Sequence, residues 1–144
     1  MPNVDVHSDM PKIPPIPIDG QSLTIEDVMA VARERRETML MPDARERMAS
    51  SHAYVETLLT PEAPPVYGIN TGFGFLAETP IKPEKLELLQ HNLIVSHAVG
   101  VAEPLDVPLA RALMLLRANT LAVGHSGCRP IILETMVSLL NAKV

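Results

Sequence analysis

The chain has no tryptophan, one cysteine, and only two tyrosines and two phenylalanines among 144 residues. Aromatic rings cannot make its core, so the aliphatic residues within a 47% hydrophobic composition must do so. A lone Cys128 excludes an intrachain disulfide and fits a reducing compartment, so a cytoplasmic location is expected. Clustered Lys and Arg are also missing, and with a net charge of −5 a phosphate-backbone partner has no electrostatic support; nucleic acid is not expected. No stretch reaches the roughly 18 apolar residues of a membrane span. The opening MPNVDVHSDMPKIPPIPIDG has acids and prolines where a secretion signal carries basic residues and then an apolar run, so no membrane partner is expected either. There is no internal repeat and no heptad run, and the length suits one domain.

Proline, by contrast, is abundant, with 14 copies. Pro2, Pro11, Pro14 and Pro15 keep residues 1–16 from being helical, and this segment reads as a flexible proline-rich arm ahead of a helical domain over 17–144. A short extended piece from Ile16 ends at an Asp19-Gly20 turn. Thr24 then caps a helix expected to run to about Met41, with Glu26 and Asp27 at its positive end. Pro42 opens a second helix that turns Ala44, Met48, Val55, Leu58 and Leu59 inward before the Pro61–Pro65 cluster. Pro83 opens a third, with Leu86, Leu89, Leu93 and His97 on one stripe and Gly100 as its stop. Asp106 and Pro108 start a fourth, with Leu109, Leu113, Leu116 and Thr120 on one side and Gly124 closing it. Pro130 starts a fifth, with Ile132, Met136, Leu139 and Leu140 on its apolar side; the chain is expected to end inside or directly after it. The fold class is all-α, mainly helical, with a short extended N-terminal element. The broad apolar faces, such as Leu113 to Leu116, imply a partner surface.

One loop stands out. VYGINTGFGFL, residues 66–76, carries Gly68, Gly72 and Gly74 around Tyr67, Asn70, Thr71 and Phe73. Glycines at these spacings admit backbone angles and close approaches that side chains forbid, so a tyrosine there can be fixed against a ligand. On spacing alone, a structural reading in which Tyr67 and Phe73 plug the core is favoured. A phosphate cradle is disfavoured, because neither the G-x-G-x-x-G order nor a following Lys-Ser/Thr is present. Asn70 and Thr71 are expected to hold the loop by side-chain to backbone hydrogen bonds.

YGINTGFG at 67–74 resembles the signature loop of the aromatic amino acid ammonia-lyase family, which includes histidine and phenylalanine/tyrosine members. The resemblance continues through LQHNLIVSHAVG at 89–100, the block from Arg111 to the Gly124-His125-Ser126-Gly127 turn, and SLLNAKV at 138–144, so four ordered blocks cover residues 17–144. It implies the N-terminal part of the ammonia-lyase fold. It also implies a non-hydrolytic elimination of ammonia from L-histidine to give urocanate, in histidine catabolism. The family's electrophile is 4-methylidene-imidazol-5-one (MIO), formed autocatalytically from Ala-Ser-Gly. That tripeptide is absent from this sequence, so the fragment alone is expected to be inactive. The resemblance further implies that Tyr67 is the catalytic base and that His97 and Gly74 bind substrate, with Gly68, Gly72, Asn70 and Thr71 supporting the loop. A phenol in that role needs its anion stabilised by positive charge or hydrogen bonds.

As a histidine on an apolar stripe, His97 is by itself more often structural. The family places its selectivity pair at Ser96-His97, and Ser-His is the histidine type. An imidazole there can hydrogen-bond a substrate imidazole, at a cost of order 1–3 kcal/mol if the partner is lost. His52 and His91 have no acid or cysteine at metal spacing, so no metal is expected. His125 reads as a cap or interface residue and Cys128 as a buried thiol. Two departures from the family pattern, Val101-Ala102-Glu103 after the SHAVG block and Phe75 after the loop, bear on substrate preference more than on membership. The resemblance implies as partners the remaining C-terminal part of the lyase, further copies in a homotetramer, and a small amino acid substrate. The alternatives are a tyrosine or phenylalanine ammonia-lyase or aminomutase, and a non-catalytic helical binding module derived from the family.

Overall fold

Ile16 and Ile18 turn to the same side of a three-residue strand and are buried, while Pro17 between them is exposed, as the two-residue period of a strand requires. This strand, β1 (Ile16–Ile18), lies parallel to β2 (Thr38–Leu40), with Ile16 opposite Thr38 and Ile18 opposite Leu40. The computed structural model describes residues 13–142. Residues 1–12 of the expected arm, His7 among them, and residues 143–144 lie outside the described residues.

Helix α1 (Ile25–Arg33) joins the two strands, making a small β-α-β crossover. Thr24 caps it as expected: its hydroxyl oxygen accepts from the Asp27 amide at 3.1 Å, and Asp27 Oδ2 accepts from the Thr24 amide at 3.0 Å. The expected continuation to Met41 is wrong. The helix stops at Arg33, Glu34 caps it, and Arg35 takes a left-handed φ of 56°. Residues 38–40 then form a strand, because pairing with β1 buries Thr38 and satisfies the backbone better than another helical turn would. Met41, placed before Pro42, is held extended.

Prolines open four helices. They occupy the first turn of α2 (Pro42–Thr57), α3 (Pro83–His97), α4 (Val107–Ala122) and α5 (Pro130–Asn141). A missing amide hydrogen costs nothing there. The third helix ends at His97 with Ala98 as its cap, earlier than the expected stop at Gly100.

The core gathers Ile16, Ile18, Val31, Ala44, Met48, Leu115, Ala118, Leu121, Leu133 and Leu140. Helix α4 runs through its middle, packed by α1, α2, α5 and β1. Its buried face is Arg111, Leu115, Ala118 and Leu121-Ala122. The stripe read from the sequence, Leu109, Leu113, Leu116 and Thr120, is the other side of the helix and is exposed, Leu113 at 49%. Both faces of α4 are apolar, so periodicity alone could not choose between them. The same holds for α5, where Leu133 and Leu140 are buried, Met136 and Val137 pack against the core, and Ile132 and Leu139 are exposed. In α2, Ala44 and Met48 are buried as expected, with Leu58 just past its end. Val55 and Leu59 are only half-buried. Helix α3 contributes no buried residue, and its Leu88, Ile94 and Val95 are exposed.

Long polar side chains tie distant segments together. Arg47 donates from Nη2 to the carbonyls of Asp19 (2.7 Å) and Ala122 (3.1 Å). Asn119 Oδ1 accepts from the Gly20 amide, and Asn141 brackets Thr38, accepting from its amide and donating to its carbonyl, each at 2.8 Å. Arg111, 2% exposed, donates from Nε to Val31 O at 3.1 Å, and burial lowers its pKa from the ordinary arginine value. No helix among the described residues is long and apolar enough to cross a membrane.

Candidate functional site

The residues from Val66 to Ile81 close on themselves. Thr71 bridges Pro80 in antiparallel fashion, the Gly72 amide donates to Thr79 O at 3.1 Å, and the Ile81 amide donates to Asn70 O at 2.9 Å. Asn70, 7% exposed, is the internal brace of this loop. Its Oδ1 accepts from the Val66 amide at 2.6 Å, and its Nδ2 donates to Leu58 O at 3.1 Å and Pro64 O at 2.9 Å. One side chain thus links the end of α2, the proline cluster and the base of the loop. Thr71 is buried and donates from Oγ1 to Gly72 O at 3.1 Å.

Two glycines are needed for different reasons. Gly68 has a φ of +77°, the left-handed region that disfavours side chains, and it lets the chain turn directly after Tyr67. At Gly72 a Cβ would sit 2.6 Å from that of Leu76, so the short 3-10 turn Gly74–Leu76 could not fold back over it. Gly74 also has a positive φ but is exposed, with nothing within 4 Å of where a Cβ would project.

This framework holds Tyr67 outward. The residue is 62% exposed, and its ring meets Phe73 edge to face, with centroids 6.0 Å apart. The reading in which Tyr67 plugs the core therefore fails, since its phenol is available to a ligand while its position is set by a buried brace. Phe75, one of the departures from the family pattern, is fully exposed.

His97 occupies the last turn of α3 and is exposed. Its Nδ1 lies 2.9 Å from Leu93 O and 3.0 Å from Ser96 Oγ, and Ser96 Oγ donates to the same carbonyl at 2.9 Å. No hydrogen bond or ring contact among the described residues joins His97 to Tyr67. The two groups are each fixed, on separate elements.

A groove of about 570 Å³ runs behind the loop, between Gly68 and Ile69, His52 and Glu56 of α2, and Leu86 and Gln90 of α3. His52 Nδ1 is 3.1 Å from Gly127 O, and Nε2 is 3.5 Å from Glu56, which corrects the reading that His52 has no acid at four-residue spacing. This pins the turn after α4 to α2, a role its sequence neighbours did not suggest. His125 is exposed, and Cys128, expected to be buried, is half-buried against the core. Among the described residues, no three His, Cys, Asp or Glu side chains gather as a metal would need.

Comparison with known proteins adds to this geometry. The sequence profile described as aromatic amino acid lyase matches residues 23–144. The histidine ammonia-lyase of Alkaliphilus metalliredigens is 45% identical over 129 residues, which are 90% of this chain and 25% of that protein. Among solved structures, a tyrosine aminomutase from Streptomyces globisporus superposes with a TM-score of 0.81 at 37% identity, covering 88% of this chain and 24% of the other. A histidine ammonia-lyase from Trypanosoma cruzi gives 0.77 at 37% identity, with the same coverage. The chain spans about a quarter of the length of the curated relatives it matches.

Proposed function

Because the chain belongs to the aromatic amino acid lyase family, we propose that it forms the N-terminal part of a histidine ammonia-lyase, which removes ammonia from L-histidine to give urocanate. The observation that carries this reading is Tyr67, a largely exposed phenol on a loop braced by the buried Asn70. The hydrogen to be removed, β to the substrate carboxylate, is weakly acidic, so a base must be held still over it. Tyr67 takes that proton in this reading, and His97 meets the substrate side chain.

The electrophile implied by the family is not made by these residues, since no Ala-Ser-Gly is present. What the chain offers fits a site completed from elsewhere: an exposed base and an exposed imidazole on separate elements, in a chain whose helices α3, α4 and α5 also expose apolar residues to a partner. When present, the MIO group supplies the electron sink that makes the amine a leaving group. The proposal therefore includes a second polypeptide segment carrying Ala-Ser-Gly, a homotetramer and a cytoplasmic setting.

The test combines this chain with a downstream segment containing Ala-Ser-Gly and follows urocanate absorbance from histidine. Turnover supports the reading, and no product from a folded assembly counts against it. Tyr67→Phe should lower kcat at least ~100-fold, the usual contribution of a positioned base, with assembly unchanged. The similarity to a tyrosine aminomutase favours a second reading, in which tyrosine is the substrate and the amino group is returned at the neighbouring carbon. Assays with histidine, tyrosine and phenylalanine separate the two.

A further inference from the structure

The ring of His97 is held at one nitrogen. Nδ1 lies 2.9 Å from the carbonyl of Leu93, one helical turn back, and 3.0 Å from the hydroxyl of Ser96. A carbonyl oxygen can only accept, so a bare Nδ1 lone pair would face oxygen lone pairs at hydrogen-bonding distance. Nδ1 must carry the hydrogen. The Ser96 hydroxyl hydrogen is directed to the same carbonyl at 2.9 Å, which leaves its own lone pairs turned to Nδ1–H. In a neutral imidazole with Nδ1 protonated, Nε2 is an acceptor.

We infer that Ser96 is a positioning residue which, with the Leu93 carbonyl, locks His97 in the Nδ1–H tautomer, so that His97 offers Nε2 to its ligand as a hydrogen-bond acceptor. The substrate class admitted is then an amino acid whose side chain ends in an N–H or O–H donor. An imidazole qualifies through its one N–H and a phenol through its hydroxyl. A phenyl ring does not, and would leave Nε2 desolvated and unpaired. An imidazole methylated on the nitrogen that faces His97 fails for the same reason. The consequence for substrate rests on the assignment of His97 to the substrate side; the tautomer stands on the geometry alone.

Solid-state ¹⁵N spectra of the assembled protein, with only the histidines of this chain labelled and the pH high enough for neutral rings, read the tautomer directly. His97, identified by its loss in His97→Gln, should show a protonated Nδ1 and an unprotonated Nε2. The Leu93 carbonyl remains in Ser96→Ala, so that variant should keep the Nδ1 proton but broaden the His97 signals as the ring loses its second contact, and Ser96→Thr should restore the sharp signal. A His97 proton on Nε2 in the unmodified protein would overturn the inference. Kinetics give an independent arm. Asparagine at 97 can replace only the Nδ1 donor, whereas the glutamine carboxamide reaches the Nε2 position with an acceptor oxygen. His97→Asn should raise KM for histidine ~10-fold or more with a smaller effect on kcat, and His97→Gln should recover most of that loss. Equal damage from both would sink the acceptor role. If the unmodified assembly turns over no histidine, the lyase reading fails, and the ¹⁵N spectrum still decides the tautomer.

Discussion

Asn70 uses both amide hydrogens and its carbonyl oxygen on three backbone groups spread over nine residues, Leu58, Pro64 and Val66. Removing the side chain leaves buried donors and acceptors without partners, each costing about 1–3 kcal/mol. Asn70→Ala should therefore lower stability by about 2 kcal/mol, and limited proteolysis should cut near the Tyr67 loop first. Asn70→Asp is the sharper test. It keeps the shape but loses the donors and sets a carboxylate against two carbonyl oxygens, so urea unfolding should find it no better than alanine. A second residue-scale device is the Thr24–Asp27 cap. Bonds from the Thr24 hydroxyl, then from its backbone, hold the Asp27 carboxyl below its usual range. A carboxylate whose folded pKa lies below its unfolded one contributes stability above the unfolded value and loses it as pH falls through the folded value. Thr24→Ala should cost about 1 kcal/mol at neutral pH. Thermal unfolding should show that gap narrowing below pH ~4 without closing, because the bond from the Asp27 amide to the Thr24 hydroxyl does not titrate.

At the scale of elements, α4 shows where pattern reading succeeds and stops. Its existence and start were plain from Asp106 and Pro108, and Asp106 does accept from the Leu109 amide at 2.8 Å. Its buried face was not, because leucines occupy both sides of the helix and the choice depends on what α1 and α5 present to it. Leu115→Ala, at a fully buried site, should cost 2–5 kcal/mol. Leu113→Ala should change the stability of the chain alone by less than about 0.5 kcal/mol. Denaturation of both variants checks the assignment, and a Leu113 loss that grows in the assembled protein would mark α4's outer face as covered there. The premature end of α1 was hidden for a related reason: β2 exists only because β1, some twenty residues earlier, lies beside it. Of the proposed site, Tyr67 and His97 were singled out by motif and resemblance, and the bracing by Asn70 was expected in kind. Arg47, Arg111, Asn119 and Asn141 were not visible, since the carbonyls and amides they meet are 28 to 103 positions away.

For the whole molecule, apolar residues are exposed on three successive helices, among them Ile94 and Val95 of α3, Leu113 and Leu116 of α4, and Ile131 and Leu139 of α5. Exposure on that scale favours association. The 144-residue chain alone should sediment as a concentration-dependent mixture and bind a hydrophobic dye, and both signals should fall when the complementing segment is added. A strictly monomeric, dye-silent chain would favour the stand-alone binding module instead.

The bracket of Asn141 on Thr38 has a consequence in time. The amide and carbonyl of Thr38 find their partner only when a residue 103 positions later has been made and folded into α5. The Gly20 amide likewise waits for Asn119, 99 positions on. Closures across such separations are slow relative to helix formation. As the polypeptide leaves the ribosome, its first strands therefore emerge and can pair long before Asn119 and Asn141 arrive to secure them. The long-range ties on the N-terminal end are then completed only with the arrival of α4 and α5.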